Sequence, residues 1–243
     1  MRFLLYNICY ATHGNQKKIP LLGMLGRTHD HLDEIIEFIK GIDPDVMGLI
    51  EVDSGSYRSG RKSQVEKIAE ELGHFHSYRS KYAEDSRWQN IPIYNKQGNA
   101  FLAKDTIHGE KYHYFERGMK KLVIELELEH VTFFLVHLAL SYKARQDQLL
   151  HLYHMIKETD RPYIVAGDFN AFLGEKELQL LQAATGLQNA DKEMQPTFPS
   201  HNPRKHLDFI LHSPEIKINN LEMPRVQLSD HLPLVVDFEV INQ

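Results

Sequence analysis

Apolar residues in this chain gather in short runs, and most of those runs stop at a polar residue. Runs over 3–8, 46–52, 99–103, 122–128, 131–140, 163–166, 207–211 and 234–240 have the length and β-branched or aromatic content of strands. Residues 122–128 move into period-2 alternation, which suits a strand with one wet face, whereas 132–136 is nearly all apolar and suits a strand covered on both sides. The two-residue break at Glu129 and His130 predicts an antiparallel hairpin between them. Helical spacing shows in Leu32, Ile35, Ile36, Ile39 and Ile42, with Asp30 as a candidate cap. Further helices are predicted over 64–72, stopping at Gly73, over 144–158, and over 175–185, stopping at Gly186. Helices interleave with strands, yet hairpins occur too. The pattern therefore predicts two packed sheets flanked by helices better than one doubly wound parallel sheet.

No internal repeat, low-complexity tract or linker interrupts the sequence, so the expectation is one domain over 1–243. Long polar loops remain at 12–29, 53–63, 83–98 and 190–205. The third carries Arg87, Trp88, Tyr94 and Lys96, which suit either a grip on an aromatic or phosphorylated ligand or a packed amphipathic surface.

Composition narrows the class. Hydrophobic content of 42% and charged content of 25% suit a chain that buries a full core. One cysteine, Cys9, excludes an internal disulfide framework, and its apolar surroundings predict a small buried thiol rather than a nucleophile. The N-terminal apolar stretch is too short for a signal peptide, and no segment approaches a membrane span; a cytoplasmic location is expected. A formal net charge of −5 disfavours, without excluding, a nucleic-acid partner. No obligate protein partner is evident.

The chemistry concentrates where the apolar runs stop. Asn7, Glu51, His137 and Asp168 each follow such a run; Asp208 lies inside one; Asp230 and His231 precede the last. A carboxylate buried at a strand end is costly unless it meets a cation or a proton donor. Each has an ordinary alternative: a turn for Asn7, an ion pair for Glu51, a satisfied core histidine for His137, an Asx turn for Asp168 and Asn170, a cap for Asp230. Jointly these alternatives require many coincidences, and a shared divalent metal and phosphate would remove the cost. Zinc spacing motifs, phosphate-binding glycine loops and a nucleophile elbow are all missing. The oxygen-rich set favours Mg2+ or Mn2+ as cofactor.

The ordered series Tyr6-Asn7-Ile8, Gly48-Leu49-Ile50-Glu51, Val136-His137-Leu138, Gly167-Asp168-Phe169-Asn170, Leu207-Asp208-Phe209-Ile210 and Ser229-Asp230-His231-Leu232-Pro233 resembles the endonuclease/exonuclease/phosphatase superfamily, the fold of pancreatic-type deoxyribonuclease. The resemblance implies a four-layered α/β sandwich with two mixed β-sheets face to face and helices outside. It implies that Glu51 holds magnesium with help from Asn7 and Asp230. His231 is then oriented by Asp208, as a base or as a charged phosphate contact. Asp168 and Asn170 position water, and His137 bonds the phosphate. Abasic-site endonucleases of this superfamily carry Tyr in place of His137; the histidine is more similar to the deoxyribonuclease, sphingomyelinase, deadenylase and phosphatase branches. Gly98-Asn99-Ala100 and Arg117-Gly118 also resemble family segments, which makes Asn99 and Arg117 candidate substrate contacts, with an ion pair the alternative for Arg117. The implied activity is hydrolysis of a phosphodiester, in a nucleic acid, lipid or metabolite. The alternatives are a phosphomonoesterase for a small metabolite or inositol phosphate and, further off, a non-catalytic binding module.

Overall fold

A computed structural model describes residues 1–12, 29–82, 86, 91–118 and 120–241, with backbone alone at 29 and 30. Sheet one contains β1 (Arg2–Asn7), β2 (Val46–Asp53), β3 (Phe75–Ser80), β4 (Gln97–Ala103), β11 (Ile216–Glu222) and β12 (Leu234–Val240). Its strand order is β11-β12-β1-β2-β4-β3. The second sheet contains β5 (Gly109–Tyr114), β6 (Leu122–Glu127), β7 (Thr132–His137), β8 (Tyr163–Asp168), β9 (Gln188–Asn189) and β10 (Asp208–His212). Its order is β5-β6-β7-β8-β10-β9. Four helices accompany them among the described residues: α1 (His29–Ile42), α2 (Gln64–Leu72), α3 (Tyr142–Lys157) and α4 (Gln179–Thr185).

The two sheets repeat one plan. Each has a central parallel pair, β1 with β2 and β7 with β8, and antiparallel neighbours on both sides. This repetition lies in topology and leaves no trace in the sequence. The expected hairpin at Glu129 and His130 is present as β6–β7.

Period-2 alternation sorts the side chains into layers. Phe3, Leu5, Val46, Ile50, Phe133, Leu135, Ile164, Ala166 and Ile210 fill the space between the sheets. Leu4, Tyr6, Met47 and Leu49 face the other way, against Leu32, Ile35, Ile39, Val65 and Ile68 of α1 and α2. Phe134, Val136, Val165 and Phe209 meet Leu149, Leu152, Ile156 and Leu181 of α3 and α4. The result is the expected four-layered sandwich. Phe133 sits at the centre of the inner layer, its ring 5.1 Å from Phe3, 5.8 Å from Phe101 and 6.2 Å from Phe238.

Several expectations need correction. The run 131–140 does not remain a strand: β7 stops at His137, and Leu138 leaves it with its N–H on Asp168 O at 2.9 Å. The helix expected over 175–185 breaks into a 3-10 turn, Glu175–Glu177, and α4. Cys9 lies beyond the end of β1, in a 3-10 turn, and is partly exposed. Strands β3, β5, β9 and β11 escaped the pattern because their burial is partial and their alternation weak, as in the exposed His76, Lys111 and Asn220. Residues 13–28, Arg87 and Trp88, with the side chain of Asp30, lie outside the described residues. No described helix is long and apolar enough to cross a membrane.

Candidate active site

At one end of the sandwich the apolar layer between the sheets gives way to polar residues in the same alternation. Phe3 and Leu5 are followed by Asn7, Phe133 and Leu135 by His137, Ile164 and Ala166 by Asp168, while Ile210 is preceded by Asp208. All four polar groups are buried. Strand pairing sets His137 beside Asp168, and Asp168 beside Asp208. Close pairing demands Gly167: a Cβ there would stand 1.9 Å from Val136 O.

Glu51 breaks the alternation. Parity would send it outward with Leu49, but the β2–β4 register shifts here and Glu51 takes φ 57°. This bulge costs backbone strain of about 1–3 kcal/mol and turns the carboxylate toward the second sheet. Asn99 holds it, accepting the Glu51 N–H on Oδ1 at 3.2 Å. Asn99 thus acts on the site through the Glu51 backbone.

Asp168 is the hub. Its Oδ2 accepts from Asn7 Nδ2 at 3.3 Å and lies 3.2 Å from His137 Nε2 and 3.9 Å from His231 Nε2. Its Oδ1 accepts the Asn170 N–H at 3.0 Å. Asn170, at φ 50°, donates its side-chain amide to Leu138 O at 2.9 Å and so locks the turn beyond β8. Burial would raise the Asp168 carboxyl, but His137, His231 and Lys120 outweigh it and hold the group well below the usual carboxylate range.

His231 is fixed by Asp208, with Nδ1 2.8 Å from Oδ2. The same Oδ2 accepts from Thr197 Oγ1 at 2.6 Å. Loop 190–205 therefore supports the dyad, and Phe198 packs on the imidazole with ring centres 4.9 Å apart. Burial would lower the His231 pKa, yet Asp208, Asp168 and Asp230 raise it to about 10, so the ring is an imidazolium at neutral pH. Asp208 Oδ1 is buried without a hydrogen-bond partner among the described residues.

Sequence reasoning missed Lys120. Its Nζ lies 3.8 Å from Glu51 Oε1 and contacts His137 Nε2, which is itself 4.0 Å from Glu51. The His137 pKa is lowered by burial first and by the Lys120 charge second. Gln148 of α3 positions this lysine by donating to Lys120 O at 2.7 Å and Arg117 O at 2.9 Å, and by accepting the Ala139 N–H at 2.8 Å. Gly118, at φ +97°, is needed because a Cβ would come 2.8 Å from Gln148 Nε2. Nothing in local sequence marks Lys120; it is one of two consecutive lysines before β6. Arg117 points elsewhere. It is largely exposed and pairs with Asp147 at 2.9 Å, so the structure gives it the ion-pair alternative rather than a place in this cluster.

Two ligand sets could hold a cation. Asp168, Asp208 and His231 bring ligand atoms within 4.8 Å of one another. There Asp208 Oδ2 is already engaged by Thr197 and by His231 Nδ1, so the set is committed to holding the imidazole. Glu51 and Asp230 fit better. The Asp230 carboxyl is pushed up by burial and by the Glu51 charge, a like-charge conflict that a divalent ion relieves. Asn7 Oδ1 accepts the Cys9 N–H at 3.1 Å and retains a second lone pair.

Beside this cluster opens a cavity of about 710 Å3, bounded by Glu51, Lys120, Tyr10, Lys81, Tyr82, Tyr94, Arg58 and the 139–141 loop. Its floor is strained: Cys9, Tyr10 and Ala11 all have positive φ. Lys81 donates to Tyr10 Oη at 3.0 Å, and burial pulls its pKa down to about 8 against the attraction of Glu51.

The sequence that builds this arrangement matches the profile of the Endonuclease/Exonuclease/phosphatase family over residues 22–231. The chain belongs to this family. Among solved structures, a functionally unknown conserved protein from Enterococcus faecalis V583 superposes with a TM-score of 0.75 at 16% identity, covering 99% of this chain and 100% of that one. A mannosyl-6-phosphatase from Bacteroides thetaiotaomicron VPI-5482 gives 0.73 at 14% identity, covering 98% and 99%. The human Nocturnin catalytic domain, with bound sulfate anion, gives 0.67 at 20% identity, covering 99% and 94%. At these identities the likeness is one of fold. No curated protein sequence matches the chain. Family membership makes this chain a hydrolase fold for phosphoesters.

Proposed function

We propose that this family member is a divalent-metal-dependent phosphoesterase that hydrolyses a phosphodiester by in-line attack of water. The observation that carries the reading is the convergence of Asn7, His137 and His231 on one carboxylate oxygen of Asp168, with Glu51 across the gap. Glu51 and Asp230, with Asn7, would hold magnesium or manganese, which when bound supplies charge neutralisation at the phosphoryl oxygens. Asp168, fixed by Asn170, orients the water and takes its proton as the new P–O bond forms and the P–O bond to the leaving oxygen breaks. The His231 imidazolium, held by Asp208, contacts a nonbridging oxygen and so acts as the charged contact rather than as the base. His137 and Lys120 face the other side of the same space and stabilise charge that develops on the phosphate and its leaving oxygen.

A monoester is the second reading, and Lys120 favours it. A cation additional to His231 and the metal suits the second negative charge of a monoester. The similarly folded phosphatase acts on a phosphorylated sugar by its name, which supports the same option. A binding module without activity is the weakest reading, since the whole polar constellation is retained.

The test is substitution at the hub. Asp168→Asn is expected to remove most hydrolysis of p-nitrophenyl phosphate esters while leaving a cooperative melting transition. Wild-type turnover in this variant would refute the assignment.

A further inference from the structure

On the phosphoesterase reading, a reacting phosphate would fill only the edge of the space beside Glu51. The cavity of about 710 Å3 is far larger than a phosphate needs and falls in the range of sites that enclose a whole small ligand. Among the described residues three cationic side chains reach it: Arg58, Lys120 and Lys81. The first two are answered by nearby groups of the protein. Arg58 pairs with the buried Asp53 at 3.1 Å, and Lys120 faces Glu51 and His137. Lys81 differs. Among the described residues no carboxylate lies within 4 Å of its Nζ, which donates to the Tyr10 hydroxyl and lies 5.6 Å and 5.2 Å from the Tyr10 and Tyr82 ring centres.

A lysine inside such a wall is costly without an anion, and an ammonium has three protons to donate. The Tyr10 hydroxyl takes one. Aromatic rings flank the position: Tyr10 and Tyr82 stand beside the ammonium, and Tyr94 packs on Tyr82 with ring centres 6.3 Å apart at 52°. The wall is also built in advance of any ligand. Gln64 Nε2 binds Tyr10 O at 2.8 Å and pins the strained turn, while Lys81 N–H binds Gln97 O at 3.0 Å and pins the other side.

We propose that this cavity receives the alcohol portion of the substrate, and that Lys81 recognises a second anionic group on that portion. The substrate class is a small, ring-bearing phosphate ester with a further phosphate or carboxylate. This rests on the phosphoesterase reading for the position of the reacting phosphate, and it adds the chemistry that selects the remainder of the molecule. Lys81 is a specificity residue here and takes no part in bond breaking.

The probes are adenosine 3',5'-bisphosphate, adenosine 3'-monophosphate, adenosine 5'-monophosphate and inorganic phosphate, titrated calorimetrically into the full chain in EDTA. Binding is read without turnover. The bisphosphate is expected to bind about tenfold or more tighter than either monophosphate, as one additional charge-assisted hydrogen bond gives. Lys81→Met should bring that ratio close to one, and Lys81→Arg should restore most of it, which shows that charge and not packing is responsible. Equal binding of bisphosphate and monophosphates to the wild type would overturn the proposal. So would a Lys81→Met protein that melts cooperatively and keeps the preference. Hydrolysis of p-nitrophenyl esters with magnesium is assayed on the same preparation. If the ester is cleaved but the preference is absent, this proposal fails and the phosphoesterase reading stands. If the preference is present but no ester is cleaved, the phosphoesterase reading fails alone.

Discussion

Replacing Lys120 by Met should move metal affinity and turnover in opposite directions. Nζ of Lys120 is 3.8 Å from Glu51 Oε1, and each side chain is only about a fifth exposed. At an effective dielectric of 20 that pair has a gross attraction of about 4 kcal/mol, and partial solvation leaves about 1–2 kcal/mol of it. The lysine thus competes with a divalent ion for Glu51, and its loss should tighten metal binding by about tenfold. Turnover should nevertheless fall by about 10²–10³, the usual loss when one preorganised donor is removed from a developing oxyanion. The His137 pKa, held down by burial and then by Lys120, should rise in the variant. Magnesium-dependent rates and an NMR titration of the His137 ring in metal-free protein read the three effects. Weaker metal binding together with an unmoved His137 would refute the electrostatic account of this corner of the site.

Other perturbations have equally definite outcomes. Phe133→Ala empties the centre of the inner layer and should cost about 3–5 kcal/mol in urea unfolding. Asp53→Ala removes the carboxylate that faces the buried Arg58 and accepts the Gly55 and Ser56 N–H groups; the expected loss is about 3–5 kcal/mol, and a loss under 1 would show that the loop does not depend on it. His231, raised to about 10 in the fold, contributes stability that is full below its unfolded pKa near 6.5 and lost as pH rises toward 10. Lys81, lowered to about 8, works in the opposite sense over the higher part of that window. The difference in unfolding free energy between wild type and His231→Gln should therefore shrink from pH 7 to pH 10; a constant difference would contradict the assigned charge.

Much of the site is written in period-2 alternation. Asn7, His137 and Asp168 are legible as a group, and the structure brings them together, because each continues the inward parity of an apolar strand, and a buried polar residue there is hard to place without a partner. Asp208 stands out for the same reason. Glu51 was found through its motif and its place after an apolar run, while its orientation depends on a bulge that only the register with β4 reveals. Lys120 and Lys81 were invisible because they sit beyond strand boundaries, in segments fixed by Gln148 and by the Gln97 backbone far along the chain. Arg117 illustrates the reverse: a charged residue beside a family segment, spent on a surface pair with Asp147. The repeated strand order of the two sheets went unseen because topology constrains pairing and not residue identity.

The central claim is tested most directly by hydrolysis of bis(p-nitrophenyl) phosphate beside p-nitrophenyl phosphate, with magnesium, with manganese and with EDTA, in wild type and Glu51→Ala. The account predicts cleavage, faster for the diester, that disappears in EDTA and in the variant. Cleavage that survives EDTA, or that Glu51→Ala leaves intact, would contradict it.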